Sequence, residues 1–270
     1  MEPTTVTGPP MAERALAFQR ELDRALATRV EDASWGMAIF RDDLPRVTDL
    51  NVLVVERTDG LDGPALMAEA DRLQTGLPHR AIRIDDPDAA AALAPGFAAA
   101  GWLTSRTALM LLRRSPDRPI DISAVTEVDL DRIQIARDAA IRRVHRDHDV
   151  AAEALEVGGL QHEGARVHAF AALVGAEVAA YCLLRLGPGG AKLVEVQALA
   201  RSQGHGVGRA TIWSAICAAR RERVNPIFVE CEDEEWAKSV YRRLGFDEGC
   251  TVHLFVRPWG EEPVARIPAD

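Results

Sequence analysis

The sequence has 270 residues, of which 47% are apolar and 27% charged, and its formal net charge is −9 at pH 7. These values are typical of a soluble globular protein with one large domain or two small ones, and the acidic balance argues against nucleic acid as the main partner. No apolar run approaches the roughly 20 residues that span a bilayer, and the N-terminus lacks the basic start and apolar core of a secretory signal, so we expect a cytoplasmic protein with no membrane partner.

The first half of the chain is predicted to alternate between helices and strands. Residues 1–10 are rich in proline and threonine and are predicted to be disordered. Apolar spacing predicts helices over 12–30, 64–74 and 89–100, and strands over 49–56, 79–86 and 103–112. A linker at 113–118 then separates a first domain, 11–115, from a second domain, 119–260, and residues 261–270 form a tail.

The second half is predicted to have the element order βααβββαβαβ. The polar stretch 145–165 is expected to hold a short helix, the second in that order, and a loop. Strands are expected over 120–125, 166–173, 177–186, 192–199, 227–231 and 251–256, and longer helices over 129–144, 208–223 and 234–244.

A glycine-rich loop, residues 203–208, stands between a predicted strand and a predicted helix. Glycines at 204, 206 and 208 let the backbone approach a ligand closely. The helix that starts there offers unpaired N–H groups and the positive end of its dipole, which together bind phosphate. Arg209 stands where a dinucleotide-binding fingerprint would place its third glycine, so that fingerprint is not met. A flexible turn before a helix is the alternative interpretation.

The loop resembles motif A of the GNAT superfamily of acetyltransferases, whose form is Gln/Arg-x-x-Gly-x-Gly/Ala. Gln203, Gly206 and Gly208 match it position by position. In that family the preceding strand ends in a bulge that binds the pantetheine arm of CoA, and residues 196–200 occupy that stretch, with Ala200 where proline is frequent.

A second segment resembles motif B of the same family, Asn-x-x-Ala-x-x-x-Tyr-x-x-x-Gly-Phe. Glu234 replaces the asparagine of that motif. Four positions match it: Ala237, Tyr241, Gly245 and Phe246. With the order of elements around them, the two motifs extend the resemblance over residues 119–257.

The resemblance implies acetyl-CoA as co-substrate and assigns roles to particular residues. It makes Tyr241 the general acid toward the CoA sulfur, although the same ring is also suited to simple packing in its helix. The resemblance places the donor against the strand and the glycine loop, at Val196, Ala198, Gln203, Gly204, His205, Gly206, Val207, Gly208 and Arg209.

The general base is left open by the sequence. Glu195 lies in mid-strand among apolar neighbours, where partial burial would raise its pKa, but it also suits a solvated strand face. Glu230 and Glu232 are the next candidates, and a chain of water molecules is a further one. The loop after the first helix of this half carries His145, His148 and His162, which we interpret as surface histidines.

The first half resembles a degenerate repeat of the second. Residues 97–102, Phe-Ala-Ala-Ala-Gly-Trp, parallel 241–246, Tyr-Arg-Arg-Leu-Gly-Phe, and ten residues predicted as a strand follow each. The loop at 56–64 carries three carboxylates against one arginine, which would repel pyrophosphate. Phe97 replaces the tyrosine. We therefore predict a tandem arrangement of two GNAT-like units, each a mixed, mostly antiparallel sheet flanked by helices. An unrelated α/β domain is the alternative for the first half.

The resulting hypothesis is an N-acyltransferase that moves acetyl from acetyl-CoA to a primary amine of a small molecule by direct attack in a ternary complex. Two alternatives stay open: a non-catalytic CoA-binding module, and a protein N-acetyltransferase. The four cysteines form no CxxC pair and no cluster with zinc spacing, so no metal is predicted. A homodimer is compatible with the sequence but is not specified by it.

Overall fold

Eleven strands join one sheet in the part of the chain that the computed structural model describes, residues 10–58, 60–160, 165–199 and 206–258. The helices of these ranges are α1 (Met11–Leu26), α2 (Gly63–Leu73), α3 (Pro87–Ala99), α4 (Leu130–Val144), α5 (His148–Gly159), α6 (Val207–Arg221) and α7 (Glu235–Arg242). The strands are β1 (Arg29–Ala33), β2 (Gly36–Phe40), β3 (Val52–Val55), β4 (His79–Ile84), β5 (Leu103–Leu112), β6 (Val125–Val128), β7 (Arg166–Val174), β8 (Glu177–Gly187), β9 (Gly190–Ala198), β10 (Ile227–Glu232) and β11 (Phe246–Pro258).

The predicted order βααβββαβαβ of the second half is confirmed by β6 to β11 with their helices. The first of these strands begins later than predicted, because Asp121 accepts a hydrogen bond from the Ser123 amide at 2.9 Å and forms a turn there. In the first half, the hairpin of β1 and β2 was not predicted. The helix predicted for 12–30 is too long, because α1 ends at Leu26 and β1 follows. The residues of β1 are mostly exposed and charged, so they show no alternation of apolar and polar residues that would indicate a strand.

The strand order shows that the two halves exchange their last strands. The order is β1-β2-β3-β4-β11-β5-β10-β9-β8-β7-β6, so β11 of the second half pairs with β4 of the first, and β5 of the first pairs with β10 of the second. The predicted mixed sheet flanked by helices is confirmed. Its two GNAT-like units share one sheet, and strands from either side of the predicted linker lie next to each other.

The repeated segments have the same local geometry. Phe97 contacts Trp102 edge to face, with ring centroids 5.2 Å apart, and Tyr241 contacts Phe246 in the same way at 5.8 Å. The strands that follow, β5 and β11, pair with each other in antiparallel register, from Leu103 opposite Val256 to Leu112 opposite Phe246. The sequence repeat is therefore matched by an internal structural repeat at the centre of the sheet.

The two faces of the sheet are covered by different helices. On one face, α6 and α7 pack against β8, β9 and β10 in a cluster that includes Leu193, Val229 and Tyr241. On the other face, α1 packs Phe18 against Phe228 of β10, and α4 packs against β7 and β8. We call these the α6 face and the α1 face. Among the described residues, no helix has the length and apolar character needed to cross a membrane.

Candidate functional site

Two parallel strands at the centre of the second half separate part of the way along. The pairing of β9 with β10 covers Ala191 with Ile227, Lys192 with Phe228, and Leu193 with Val229. Beyond these pairs, β9 continues beside β8 to Ala198, while β10 continues beside β5 to Glu232. The result is a wedge-shaped space between 194–198 and 230–232, which we call the strand opening.

A β-bulge in β9 lies at the start of the strand opening. Val194 pairs with Leu183 and Gln197 with Tyr181, so Glu195 and Val196 together stand opposite the single residue Cys182. Glu195 has a φ of 49°, in the left-handed region that residues with a side chain rarely adopt. Bulges bend a strand and disrupt its ladder, which explains why β9 turns away from β10 here. The bulge predicted from the resemblance for residues 196–200 thus lies at 195–196.

The bulge is held by an ion pair between Glu195 and Arg137 of α4. Arg137 Nε lies 2.7 Å from Glu195 Oε2, Arg137 Nη2 lies 2.8 Å from Glu195 Oε1, and Nη2 also donates to the Leu155 carbonyl of α5 at 2.9 Å. Burial acts to lower the pKa of Arg137, but the hydrogen bonds and charge of Glu195 outweigh it and leave that pKa raised. Both carboxylate oxygens of Glu195 are engaged by a cation, so the geometry opposes the role of general base suggested for it.

Helix α5 packs closely against this ion pair at Gly158. A Cβ atom on Gly158 would lie 1.8 Å from Glu195 Oε1 and 2.0 Å from Arg137 Nη2. No side chain fits at such distances, so this close approach requires glycine. The neighbouring Gly159 has nothing within 4 Å of its own Cβ position.

The N-terminus of α6 lies beside the far end of β9. Gly206 precedes the helix with a φ of 79° and has no side chain that could cap it, and the first turn of the helix holds no acidic residue. A Cβ on Gly208 would be 3.4 Å from that of Ala198, which places the first turn against the end of β9. The amides of this turn and the helix dipole form an anion-binding site. The predicted donor residues Gln203, Gly204 and His205 lie outside the described residues, as does Ala200.

Arg209, in the first turn of α6, has a guanidinium group that fits an anion. Its Nε and Nη2 atoms are buried, and no hydrogen-bond partner for them is found among the described residues. A buried guanidinium nitrogen without a partner is costly. A phosphate group at the start of α6 would satisfy both atoms, so the residues present fit the pyrophosphate of CoA.

The corresponding region of the first half differs in two respects. The side chain of Asp62 caps α2 by accepting from the Ala65 amide at 2.9 Å, which places a carboxylate where α6 has the bare Gly206. Strand β3 ends at Val55, which is still paired with Ile84 of β4, so these two strands do not separate within β3. The first half therefore lacks both the strand opening and the uncapped helix.

Tyr241 lies in α7 on the α6 face, where its buried ring packs in the same cluster as Leu193 of β9 and Cys231 of β10. These two residues come from the two strands that separate. The structure thus brings Tyr241, Val196 and the first turn of α6 to one side of the strand opening.

A cavity of about 140 Å³ lies on the α1 face, on the other side of the sheet. We call it the inter-half cavity, because Asp23 and Arg83 from the first half line it together with Arg185, Glu195 and Glu230 from the second. It borders the start of the strand opening, since Val194 and Glu230 line it as well.

The remaining candidate bases are placed differently with respect to this cavity. Glu230 lines it and accepts a hydrogen bond from Lys192 Nζ at 2.7 Å. Glu232 is exposed on the same strand. His145 is half-buried and His148 is exposed at the start of α5, whereas His162 lies outside the described residues. In the described ranges, no three His, Cys, Asp or Glu side chains converge as a metal site requires.

Sequence reasoning missed Arg137 and Arg185, which are buried on the α1 face. A signal for Arg137 was present, because it stands among the apolar positions Ile133, Ala136 and Ala140 of α4. Its partner, 58 residues away, could not be read from the sequence.

Known structures resemble the chain in fold. No protein-family model and no curated protein sequence matches it. A GCN5-related N-acetyltransferase from Kribbella flavida gives a TM-score of 0.62 at 18% identity, covering 94% of this chain and 98% of that one. A protein from Novosphingobium aromaticivorans assigned to the GNAT family as an acetyltransferase gives 0.54 at 13%, covering 91% and 95%. A conserved protein of unknown function from Staphylococcus epidermidis gives 0.64 at 11%, covering 87% and 95%. These likenesses establish the GNAT fold, first half included.

Gly158→Ala is expected to break the ion pair, because the added methyl group would overlap both partners. Separating a buried ion pair costs about 3 kcal/mol or more, so the urea midpoint should fall clearly. Gly159→Ala is the matched control, since it adds the same group to open space and should change stability by less than about 1 kcal/mol. Equal midpoints for the two variants would contradict the close approach described above.

Proposed function

We propose that the protein is an acyl-CoA-dependent N-acyltransferase that transfers acetyl from acetyl-CoA to a primary amine of a small molecule, by direct attack in a ternary complex. The observation that carries this proposal is the strand opening, which leads to the uncapped N-terminus of α6. A strand edge that can hydrogen-bond an extended arm, ending at a phosphate site, suits the shape and charge of CoA.

Different residues are proposed to bind different parts of acetyl-CoA. The backbone of Val196 and Ala198 would bind the pantetheine arm, and the amides at Gly206 to Gly208 with the Arg209 side chain would bind the pyrophosphate. Gln203 to His205, which lie outside the described residues, are assigned to the same task by the resemblance of the loop to motif A. The bound thioester would supply the acyl group.

The acceptor is proposed to bind on the opposite face. Cavities of about 150 Å³ hold molecules the size of benzene, and the inter-half cavity is close to that volume at about 140 Å³. This size favours a small molecule over a polypeptide. An amine bound there would meet the thioester through the strand opening, so donor and acceptor can be bound together.

The reaction replaces a carbon–sulfur bond by a carbon–nitrogen bond and requires two proton transfers. The amine nitrogen forms a bond to the acyl carbon, the carbon–sulfur bond breaks, and the sulfur takes a proton as the nitrogen loses one. Tyr241 is proposed to donate the proton to the sulfur. Glu230 is proposed to accept the proton of the amine, because it is the first residue of β10 beyond its last pair with β9 and it lines the cavity. Its ion pair with Lys192 engages Oε2, whereas Arg137 engages both carboxylate oxygens of Glu195.

The first half is proposed to be a degenerate GNAT unit that shapes the acceptor site. The Asp62 cap and the unseparated β3 and β4 support the loss of its donor site. Its α1 and β4 contribute Asp23 and Arg83 to the inter-half cavity. A cytoplasmic location and a homodimer stay predictions.

A non-catalytic CoA-binding module is the alternative from another class. Glu234 stands where motif B has asparagine, and it caps α7 without a side-chain hydrogen bond. The module hypothesis and the enzyme hypothesis share donor binding, so only turnover separates them.

Acetyl-CoA incubated with a panel of small amines should release free thiol, and Gly206→Val should abolish both this release and the calorimetric binding of acetyl-CoA. Valine does not tolerate a φ of 79°, so the start of α6 would have to rearrange. Gly60→Val is the matched control, because Gly60 also has a φ of 79° and open space around it but lies before α2. Binding without thiol release for any amine would favour the module, and unchanged binding in Gly206→Val would refute the donor site.

Tyr241→Phe is expected to lower kcat by about 100-fold or more, as removal of a general acid does, while acetyl-CoA affinity stays near that of the wild type. The ring keeps its contact with Phe246 in this variant. Steady-state rates with calorimetric affinities measure the difference, and an unchanged kcat would remove Tyr241 from the mechanism.

Glu230→Gln is expected to lower kcat/KM for the amine by about 100-fold, and Glu232→Gln should leave it close to the wild-type value. Both residues lie on the same face of β10, but Glu232 is exposed. Rates of thiol release at several pH values compare them. Equal rates for the wild type and Glu230→Gln would assign the base to a water chain instead.

A further inference from the structure

We propose that Arg185 binds a carboxylate group of the acceptor, so that the substrate is an amine that also carries a carboxylate, such as an amino acid. This inference rests on the proposed acyl transfer and specifies its acceptor. The inter-half cavity and the pairing of the charges around it point to this substrate class.

Most of the charged side chains that line the cavity are already paired with each other. Arg83 lies 2.7 Å from Asp23, and Lys192 lies 2.7 Å from Glu230. Glu195 is held by Arg137, as described above. These pairs neutralise one another and leave little charge for a ligand to meet.

Arg185 is the exception among the described cations of the cavity wall. Its side chain is buried, its Nη1 donates to the Leu160 carbonyl at 3.0 Å, and its Nη2 donates to the Val157 carbonyl at 2.8 Å. No described carboxylate forms an ion pair with it. Burial lowers the pKa of Arg185 to about 10, with the charge of Glu195 acting against this change and that of Arg137 adding to it.

The two carbonyls account for only part of the hydrogen-bonding capacity of the Arg185 guanidinium. They belong to the C-terminal end of α5, where a cation is favourable. A guanidinium has five N–H donors in a planar fork, however, and two carbonyls use two of them. Arg185 also lines the cavity. A carboxylate is the anion whose planar, bidentate geometry matches that fork.

The strand register places Arg185 at a useful distance from the strand opening. Arg185 on β8 pairs with Lys192 on β9, which pairs with Phe228 on β10. Glu230 lies two residues further along β10, so the backbones of Arg185 and Glu230 are roughly 12 Å apart. Both side chains line the same cavity. In the proposed binding mode, the carboxylate of an amino acid lies at Arg185 and its amine lies toward Glu230 and the opening.

The first half supplies acidic side chains to the same cavity. Asp23 of α1 and Asp49 of the turn Thr48–Leu50 both line it. Burial raises the pKa of Asp23, with the charge of Arg83 acting against this rise. The first half thus contributes charges of both signs to the cavity wall, the carboxylates Asp23 and Asp49 and the guanidinium Arg83.

The test compares the wild type with Arg185→Gln on matched ligands: several L-amino acids, the carboxamide of each, and the corresponding decarboxylated amine. Thiol release gives kcat and KM for each ligand, and calorimetry gives its affinity without turnover. We expect the wild type to prefer the acids. Arg185→Gln should raise KM and Kd for the acids by about 10- to 100-fold, as loss of charged hydrogen bonds does, and leave those for amides, amines and acetyl-CoA within about 2-fold.

Two further variants separate ligand binding from a structural role. Arg185→Lys keeps the charge and the cap of α5 but loses the planar fork, so it should give an intermediate effect even where Arg185→Gln folds poorly. Arg80→Gln is the matched control: Arg80 is also buried and donates to the carbonyls of Gln74 and Leu77, but it lies outside the cavity wall. It should lower the melting temperature without changing the preference for acids.

The outcomes are distinct. Equal wild-type affinities for acids and amides would overturn the carboxylate site even if amines are acetylated. An equal loss for every ligand in Arg185→Gln and Arg185→Lys would do the same, because it would leave Arg185 as a cap of α5 alone. Binding of acids that depends on Arg185, with no thiol release from any ligand, would instead support the site and refute the proposed acyl transfer.

Discussion

The ion pair between Arg137 and Glu195 is the interaction on which the site depends. Glu195 adopts a left-handed backbone conformation in the middle of a strand, a state that costs about 1–3 kcal/mol and persists only when its surroundings hold it. Arg137 holds it through two hydrogen bonds and ties the same point to α5 through the Leu155 carbonyl. One buried guanidinium therefore connects the bulge at the start of the strand opening with α5.

The exchange of β5 and β11 gives the first half a structural role that does not require a donor site. Strand β5 covers the edge of β10 opposite the strand opening, and β11 covers β4. Neither half can complete its own sheet, because each lacks the strand that the other supplies. Buried edge strands need partners for their backbone groups, so the two halves must fold together. The inter-half cavity is a consequence, since α1 and β4 contribute Asp23 and Arg83 to a wall that they share with residues of β8, β9 and β10.

The local features of the fold were readable from the sequence, and the long-range ones were not. The glycine at 206, the repeat of 97–102 in 241–246 and the order βααβββαβαβ depend on short-range patterns, and the structure has that order and that internal repeat. The strand exchange is invisible to such patterns, because β5 and β11 carry similar apolar runs and either one could complete either half. Glu195 was interpreted as a base because its apolar neighbours indicated burial correctly, but its partner lies 58 residues away.

The comparison of the two halves shows how few changes separate a donor site from its inactive copy. In both halves, a helix follows the third strand from the end, and an aromatic pair with a glycine turn leads into the last strand. In the second half, the helix begins at a glycine, which has no side chain to accept from the first amides. In the first, the Asp62 carboxylate takes one of those amides and adds a negative charge of its own. An internal carboxylate and an external phosphate compete for the same donors, so the Asp62 cap opposes phosphate binding at α2. The glycine that begins α6 offers no such competitor, which agrees with the donor site proposed there.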